Sequence, residues 1–523
     1  MLALTALLGP LLGLPWWDGF RRYFANDQLS YAAIAANVAS GNTSLVEPFT
    51  LTGSLYYPSL WYQLIGLVSA VFGAPVHLVW TILGVVAVCA GVLTVGWLAS
   101  WISGAAFAQV LPALALFTGV LAVPTAGHWY AGLGVHAVLW GPFGTLFTLN
   151  AEVAGLSITA IAMSFLVAAG WGGSRRGRIA LVLAAALLLG LLANIQTYTF
   201  FTGLVLAALF IAIRTLITHP SGNRTILTGA LLAAALVAGG VLSARVSPFA
   251  IIGSFLLILA PALWPLARSH WRLTAAALAL VAVVSAPQLV RTLIGLAGGD
   301  PFLTYRQAST QNLGVLYPAT ALAVVPLLLV VLVCGIALWR RPEPTLVALT
   351  ASLVAGLTLM STNDLWGFGQ EPYRFWLQFM ILGCLLITPV LAWALVQPRR
   401  MTGRRRTAFV VALVADTSGI VMSSDCLNPQ ILKQVTRGPI AYYNKGLGWP
   451  AGVQAFEIFE DVQRRAAQDP VALRAAEVAL VVTDSSCPTD WVFPAGQDVV
   501  PIRQQEYVMD GRQQTLTLWW VAP

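Results

Sequence analysis

Residues 76–100 read VHLVWTILGVVAVCAGVLTVGWLAS, twenty-five positions in a row without an Asp, Glu, Lys or Arg. A helix of about 20 apolar residues crosses the roughly 30 Å hydrocarbon core of a bilayer, so this stretch predicts a membrane span. The rest of the chain repeats the theme. Of its 523 residues, 58% are hydrophobic and 9% charged, and the mean hydropathy is +0.80. Soluble domains carry about 25% charged residues, so the composition excludes a water-soluble enzyme, a disordered chain and a disulfide scaffold.

Outward from 76–100, further apolar runs fall at 1–15, 105–124, 151–171, 179–193, 199–213, 225–242, 249–267, 273–287, 317–339, 345–361, 375–397 and 407–422. The sequence thus predicts an all-α polytopic membrane protein of about 13 transmembrane helices. The first segment leaves through Leu14-Pro15-Trp16-Trp17 without a small-residue cleavage motif, so it is expected to stay as an anchor. With a cytoplasmic N-terminus, fourteen arginines fall in the inner loops, among them Arg175, Arg176, Arg178, Arg340, Arg341 and Arg404 to Arg406. Six fall in the outer loops before residue 423. The bias satisfies the positive-inside rule and predicts a multi-pass plasma (inner) membrane protein. The net charge of +8 is therefore a topology signal and gives no reason to expect a nucleic acid partner. Carboxylates gather on the other side: Asp18, Asp27, Glu47, Asp300, Asp364 and Glu371 are outer, Glu343 is inner, and Glu152 and Asp416 fall within apolar runs. An acid inside a span is costly unless paired, so Glu152 is expected to face the interior of the bundle.

The outer loop 16–75 is too long for a turn and is where function is expected. Its stretch NDQLSYAAIAANVAS, residues 26–40, has helical spacing and stops at Gly41-Asn42. Asn26 or Asp27 would sit at the helix start, where a carboxylate is favoured by exposed N–H groups even without any chemistry. A second helix opens after Tyr56-Tyr57-Pro58 and closes at Gly73. At about fifteen residues it is too short to span and is expected to lie at the interface.

This order of parts resembles the GT-C class of polyprenyl-phosphate-sugar-dependent glycosyltransferases, and within it the actinobacterial arabinofuranosyltransferase-like proteins. The resemblance rests on Asp27 opening a small helix, the 56–61 stretch, the 370–375 stretch and the order of segments over most of the chain. It implies that Asp27, in Asn26-Asp27-Gln28, is the general base on the acceptor hydroxyl. Many relatives pair two carboxylates there; this sequence has Asn-Asp, which leaves Asp18, Glu47 or no residue as a second acid. It further implies an inverting transfer from a polyprenyl-phosphate donor, a membrane lipid-linked sugar, to an envelope glycan or glycolipid acceptor. The sugar would be arabinofuranose or another pentose or hexose, and dependence on a divalent metal stays open.

Arg374 at the membrane boundary beside Tyr373 is the candidate for the donor phosphate, which a guanidinium can bind through two parallel hydrogen bonds. Snorkelling to lipid headgroups or pairing with Glu371 would account for it equally well. Arg306, in the loop 288–316, is a second phosphate candidate, and Tyr57, Tyr373, Glu371, Asn26 and Gln28 are candidates for substrate contact. His128 and His136 lack the spacing of a helix-borne metal pair, and no metal site is expected from them. The sequence divides into a transmembrane module, 1–422, and a small extracytoplasmic α/β domain, 423–523. The latter should hold a helix near 451–468, a strand at 478–483 and a hairpin-like end. Its Cys426 and Cys487 are expected to form a disulfide once exported. The rival readings are a transporter or flippase for a lipid-linked sugar, with ionisable groups along a transmembrane path, and a non-catalytic polysaccharide-assembly protein.

Overall fold

The computed structural model describes residues 26–118 apart from 50 and 52, residues 146 and 148–231 apart from 221, 224 and 225, residues 259–303 apart from 302, residues 318–365 and 371–396, and residues 480–484, 499–509 and 512–521. Within these the protein is mostly helical. The first outer loop supplies α1 (Asn26–Ala39) and α2 (Leu60–Phe72). Then come α3 (Val76–Ser103), a 3-10 turn (Ala106–Val110) feeding α4 (Leu111–Thr118), α5 (Ala151–Trp171), α6 (Arg175–Ile195) and α7 (Thr197–Thr218). The remaining helices are α8 (Ala260–Ser269), α9 (Trp271–Ala297), α10 (Pro318–Arg340), α11 (Pro344–Ser361), α12 (Pro372–Leu386) and α13 (Thr388–Val396).

Among the described residues, seven stretches are long and apolar enough to cross a membrane: α3, α5, α6, α7, α9, α11 and the continuous pair α12–α13. Each coincides with an expected span. The runs 1–15 and 407–422 lie outside the described residues, and 105–124, 225–242 and 249–267 are described in part. The turn chemistry also holds: α1 ends before Gly41 at φ +93, and α2 before Gly73 at φ +61, left-handed positions that glycine adopts without steric cost. Two boundaries move. Helix α9 runs through Pro287 to Ala297, so the loop expected from 288 begins later. Backbone groups freed by a proline find no water in an apolar setting, which favours continuing the helix over ending it. Helix α12 starts at Pro372, a good first-turn residue, and so takes in Tyr373 and Arg374.

Cross-helix contacts fix the alternation of the chain. Near the start of α7, Thr202 meets Gln378 near the start of α12, and Gln378 meets Glu152 at the start of α5. At the opposite ends, Arg214 of α7 donates to the Gly170 carbonyl of α5 (3.0 Å) and to Thr345 Oγ1 at the start of α11 (3.3 Å). Helices α5, α7 and α12 therefore run the same way, and α6 and α11 run back. Small residues allow the close approach, as is usual where helices pack in lipid: a Cβ at Gly155 of α5 would run into Thr199 of α7. The α12–α13 rod is the axis of the bundle, with 89% of its apolar stretch buried against 11% for α9 at the periphery.

The C-terminal residues give an antiparallel three-stranded sheet in the order β1-β3-β2, from β1 (Leu480–Asp484), β2 (Val499–Met509) and β3 (Arg512–Val521). β2 and β3 form the expected hairpin, with Met509 opposite Arg512 and a register shift between Pro501 and Arg503. A proline cannot donate to the ladder, which suits it to such an irregularity. The expected helix at 451–468 and the pair Cys426 and Cys487 lie outside the described residues.

Candidate active site

The first turn of α12 begins at a strained residue. Glu371 holds a left-handed backbone, φ 35 and ψ 61, immediately before Pro372. For a residue with a Cβ such a conformation costs about 1–3 kcal/mol and persists where surrounding contacts over-determine it. The contact here is an ion pair between the Glu371 carboxylate and Arg374 Nε. Both side chains are buried, Glu371 at 5% exposure and Arg374 at 7%. The guanidinium lies over the rings of Tyr198 (5.2 Å) and Tyr373 (5.7 Å), where the negative ring faces attract a cation. Arg374 therefore does not snorkel to the surface.

Gln378 lies one turn beyond Arg374 on the same face of α12. Thr202 Oγ1 donates to its Oε1 at 2.6 Å, which fixes the amide, and its Nε2 donates to Glu152 Oε1 at 2.7 Å. Glu152 is 3% exposed. It occupies the first turn of α5, whose start is capped by Asn150 Oδ1 accepting from the Glu152 and Val153 amides at 3.0 and 3.2 Å. Exposed N–H groups at a helix start favour a carboxylate. Glu152 also interacts electrostatically with Arg374 and Glu371. One guanidinium thus faces two carboxylates in a buried setting.

The first outer loop joins the same end of the bundle. Tyr31 of α1 stacks on Tyr57 (4.9 Å between centroids) and on Tyr62 of α2 (5.0 Å). Tyr62 packs on Trp80 of α3 (5.2 Å), and its hydroxyl accepts from the Ala151 amide at 3.3 Å, one residue before Glu152. From the far side α9 holds the loop: Gln288 Nε2 donates to the Tyr56 carbonyl (2.6 Å) and Arg291 to that of Leu55. Tyr57 is therefore part of a built aromatic array, and Arg291 is committed to backbone.

Asn26, Asp27 and Gln28 form the first turn of α1, and Asp27 precedes Tyr31 by one helical turn along the backbone. Their side chains are outside the description. Glu47 is buried, and its Oε2 accepts from the Phe49 amide at 3.0 Å, so it shapes its own turn. Arg306 and Asp18 lie outside the described residues. Among the described residues no three His, Cys, Asp or Glu gather as metal ligands would. The structure thus brings Glu371, Tyr373 and Arg374 together with Glu152, and adds Tyr198, Thr202 and Gln378. For Gln378 the sequence signal was present, since Glu371, Arg374 and Gln378 recur at intervals of three and four from the cap into an otherwise apolar helix.

No protein-family model matches the chain, and neither does any curated protein. Solved structures similar to it include two oligosaccharyltransferases. One is the archaeal oligosaccharyltransferase AglB of Archaeoglobus fulgidus in complex with an inhibitory peptide and a dolichol-phosphate, at 14% identity and TM-score 0.43, with 91% of this chain and 59% of that chain covered. The other is an Archaeoglobus fulgidus oligosaccharyltransferase in complex with Zn and sulfate, at 14% identity and TM-score 0.42, with 90% and 56% covered. The chain thus spans less than three fifths of the length of either.

Proposed function

We propose that the chain is a membrane glycosyltransferase of the GT-C type, moving a sugar from a polyprenyl-phosphate donor to a hydroxyl of an envelope glycan or glycolipid at the outer face of the membrane. One observation carries the reading: a buried arginine, set between tyrosines at the end of a membrane bundle, shares the start of α5 with the aromatic array of the first outer loop, where the Ala151 amide donates to Tyr62 and Tyr62 stacks on Tyr31 of the helix whose first turn bears Asp27. A lipid phosphate needs such a cation, since it must be recognised where water is scarce and charge interactions are strong.

In the proposed reaction Asp27 accepts the proton of the acceptor hydroxyl as its oxygen bonds to the anomeric carbon. The bond from that carbon to the phosphate oxygen breaks, and the electron pair leaves with the phosphate. No proton is needed by the leaving group, so one base suffices and the anomeric centre inverts. Arg374 stabilises the charge that grows on the departing phosphate. Tyr57 and Tyr373 line the approach, with Glu371 setting the guanidinium. The arginine bias supports an outer position for this end and a cytoplasmic one for the Arg214 end. Residues 423–523 would then be an extracytoplasmic domain following the transmembrane module.

The test is sugar transfer by the full chain in vesicles supplied with a polyprenyl-phosphate sugar and a glycan acceptor. Asp27→Asn should fold and bind donor but lose about 10²–10⁴-fold in kcat, the usual contribution of a general base. Transfer at the wild-type rate by a folded Asp27→Asn protein would refute the assignment.

A further inference from the structure

Helix α9 is almost bare, and what its outer half does bury is directed at one segment. Of its residues only Ser285, Gln288 and Gly295 are buried. Its middle packs on α6 through Asn194 and the Val284 carbonyl. Beyond that point Gln288, Arg291 and Gly295 follow at intervals of three and four, which puts them on one helix face. That face meets the first outer loop three times. Gln288 Nε2 donates to the Tyr56 carbonyl at 2.6 Å, and Arg291 donates to the Leu55 carbonyl. Gly295 lies so close to the Tyr56 ring that a Cβ would stand 2.9 Å from two of its carbons.

We infer that Gln288 and Arg291 are positioning residues for the transfer: α9 clamps residues 55 and 56, and through them sets the helix that bears Asp27. The inference rests on the reading of Asp27 as the base. A charged residue on a lipid-facing helix is costly and marks a function when it is kept. Arg291 is half-buried and directs its charge to the Leu55 carbonyl and to Tyr56. Gln288 is itself held by Thr292, one turn on (3.2 Å). Tyr57 follows the clamped pair directly, and its ring stacks on Tyr31 of α1 at 4.9 Å. Asp27 lies one turn before Tyr31 in the same helix. A general base acts only within hydrogen-bond reach, and a misplacement of about 1 Å can cost about 10²-fold in rate. Arg374 makes its ring contacts through α7 and α12, outside the clamped segment, so a loosened clamp costs turnover and spares donor binding.

The experiment uses the full chain in lipid nanodiscs, with polyprenyl phosphoarabinofuranose or polyprenyl phosphomannose as donor and an arabinan or mannan oligosaccharide as acceptor. Arg291→Met keeps the stem and removes the donors. It should lower kcat about 10- to 10²-fold, with donor binding and the thermal midpoint unchanged, and peptides across 53–62 should exchange their amide hydrogens faster. Arg291→Lys, which can still donate to the Leu55 carbonyl, should restore both. Should Arg291→Met not fold, Gly295→Val probes the same face: it should lower kcat by displacing Tyr56, and Tyr56→Ala in the same chain should recover part of the loss. Unchanged exchange across 53–62 in Arg291→Met would show that α9 does not hold the segment, and overturns the inference whatever the activity. A loss of donor binding in step with kcat would mark a general structural role and overturns it too. Faster exchange at wild-type kcat, while Asp27→Asn is inactive, overturns the positioning role and leaves the base standing. If Asp27→Asn transfers at the wild-type rate, the base falls and the inference with it.

Discussion

At the scale of single residues, the buried amide of Gln378 carries the largest structural responsibility per atom. It is 0% exposed and spends both ends on partners from other helices. Gln378→Leu would strand the Glu152 carboxylate and the Thr202 hydroxyl together, and leaving a buried polar group unmade costs about 1–3 kcal/mol. The expected result is a lowered thermal unfolding midpoint in detergent. Residues of this kind were half legible in the sequence. Glu152 stood out as an acid in an apolar run, and the interval from Arg374 to Gln378 marks one helix face. What a periodicity cannot state is which helices meet. Glu152 and Gln378 are 226 positions apart, and their pairing is decided by packing between α5 and α12.

At the scale of elements, the legible features were those with local causes. Apolar length located the spans, and Gly41 and Gly73 located the ends of α1 and α2 because only a left-handed residue closes those turns. The missed boundary at Pro287 came from applying a rule of aqueous helices to an apolar one. The pairing of elements was not legible, and a steric test shows what holds it. Gly155 of α5 faces Thr199 of α7 with no room for a Cβ. Gly155→Val should destabilise by about 1–3 kcal/mol through overpacking, and Thr199→Ala in the same chain should recover part of the loss. A double-mutant cycle of unfolding midpoints measures this: purely additive effects would show that α5 and α7 do not meet at this point.

At the scale of the whole molecule, the antiparallel order of α5, α6 and α7 gives two ends that must lie on opposite sides of a bilayer. Leu365, 66% exposed beyond α11, belongs to the Glu152 end, and Arg176, at the start of α6, belongs to the Arg214 end. In a cysteine-free background, Leu365→Cys should react with a membrane-impermeant maleimide on intact cells, and Arg176→Cys only after lysis. Labelling of both from outside would break the alternation; the reverse pattern would invert the proposed orientation. The weak embedding of α9 then has a consequence for the site. Its Leu278, Val283 and Leu293 are each 65% exposed or more, surfaces suited to acyl chains, while its Gln288 and Arg291 grip the carbonyls just before Tyr57. Packing on α6, where Asn194 Nδ2 donates to the Val284 carbonyl at 2.8 Å, sets the tilt of this helix, and its lipid-facing side lets bilayer thickness press on that setting. Through two hydrogen bonds any such shift is handed to the loop before the tyrosines, which makes the surrounding lipid a mechanical input to the geometry of the site.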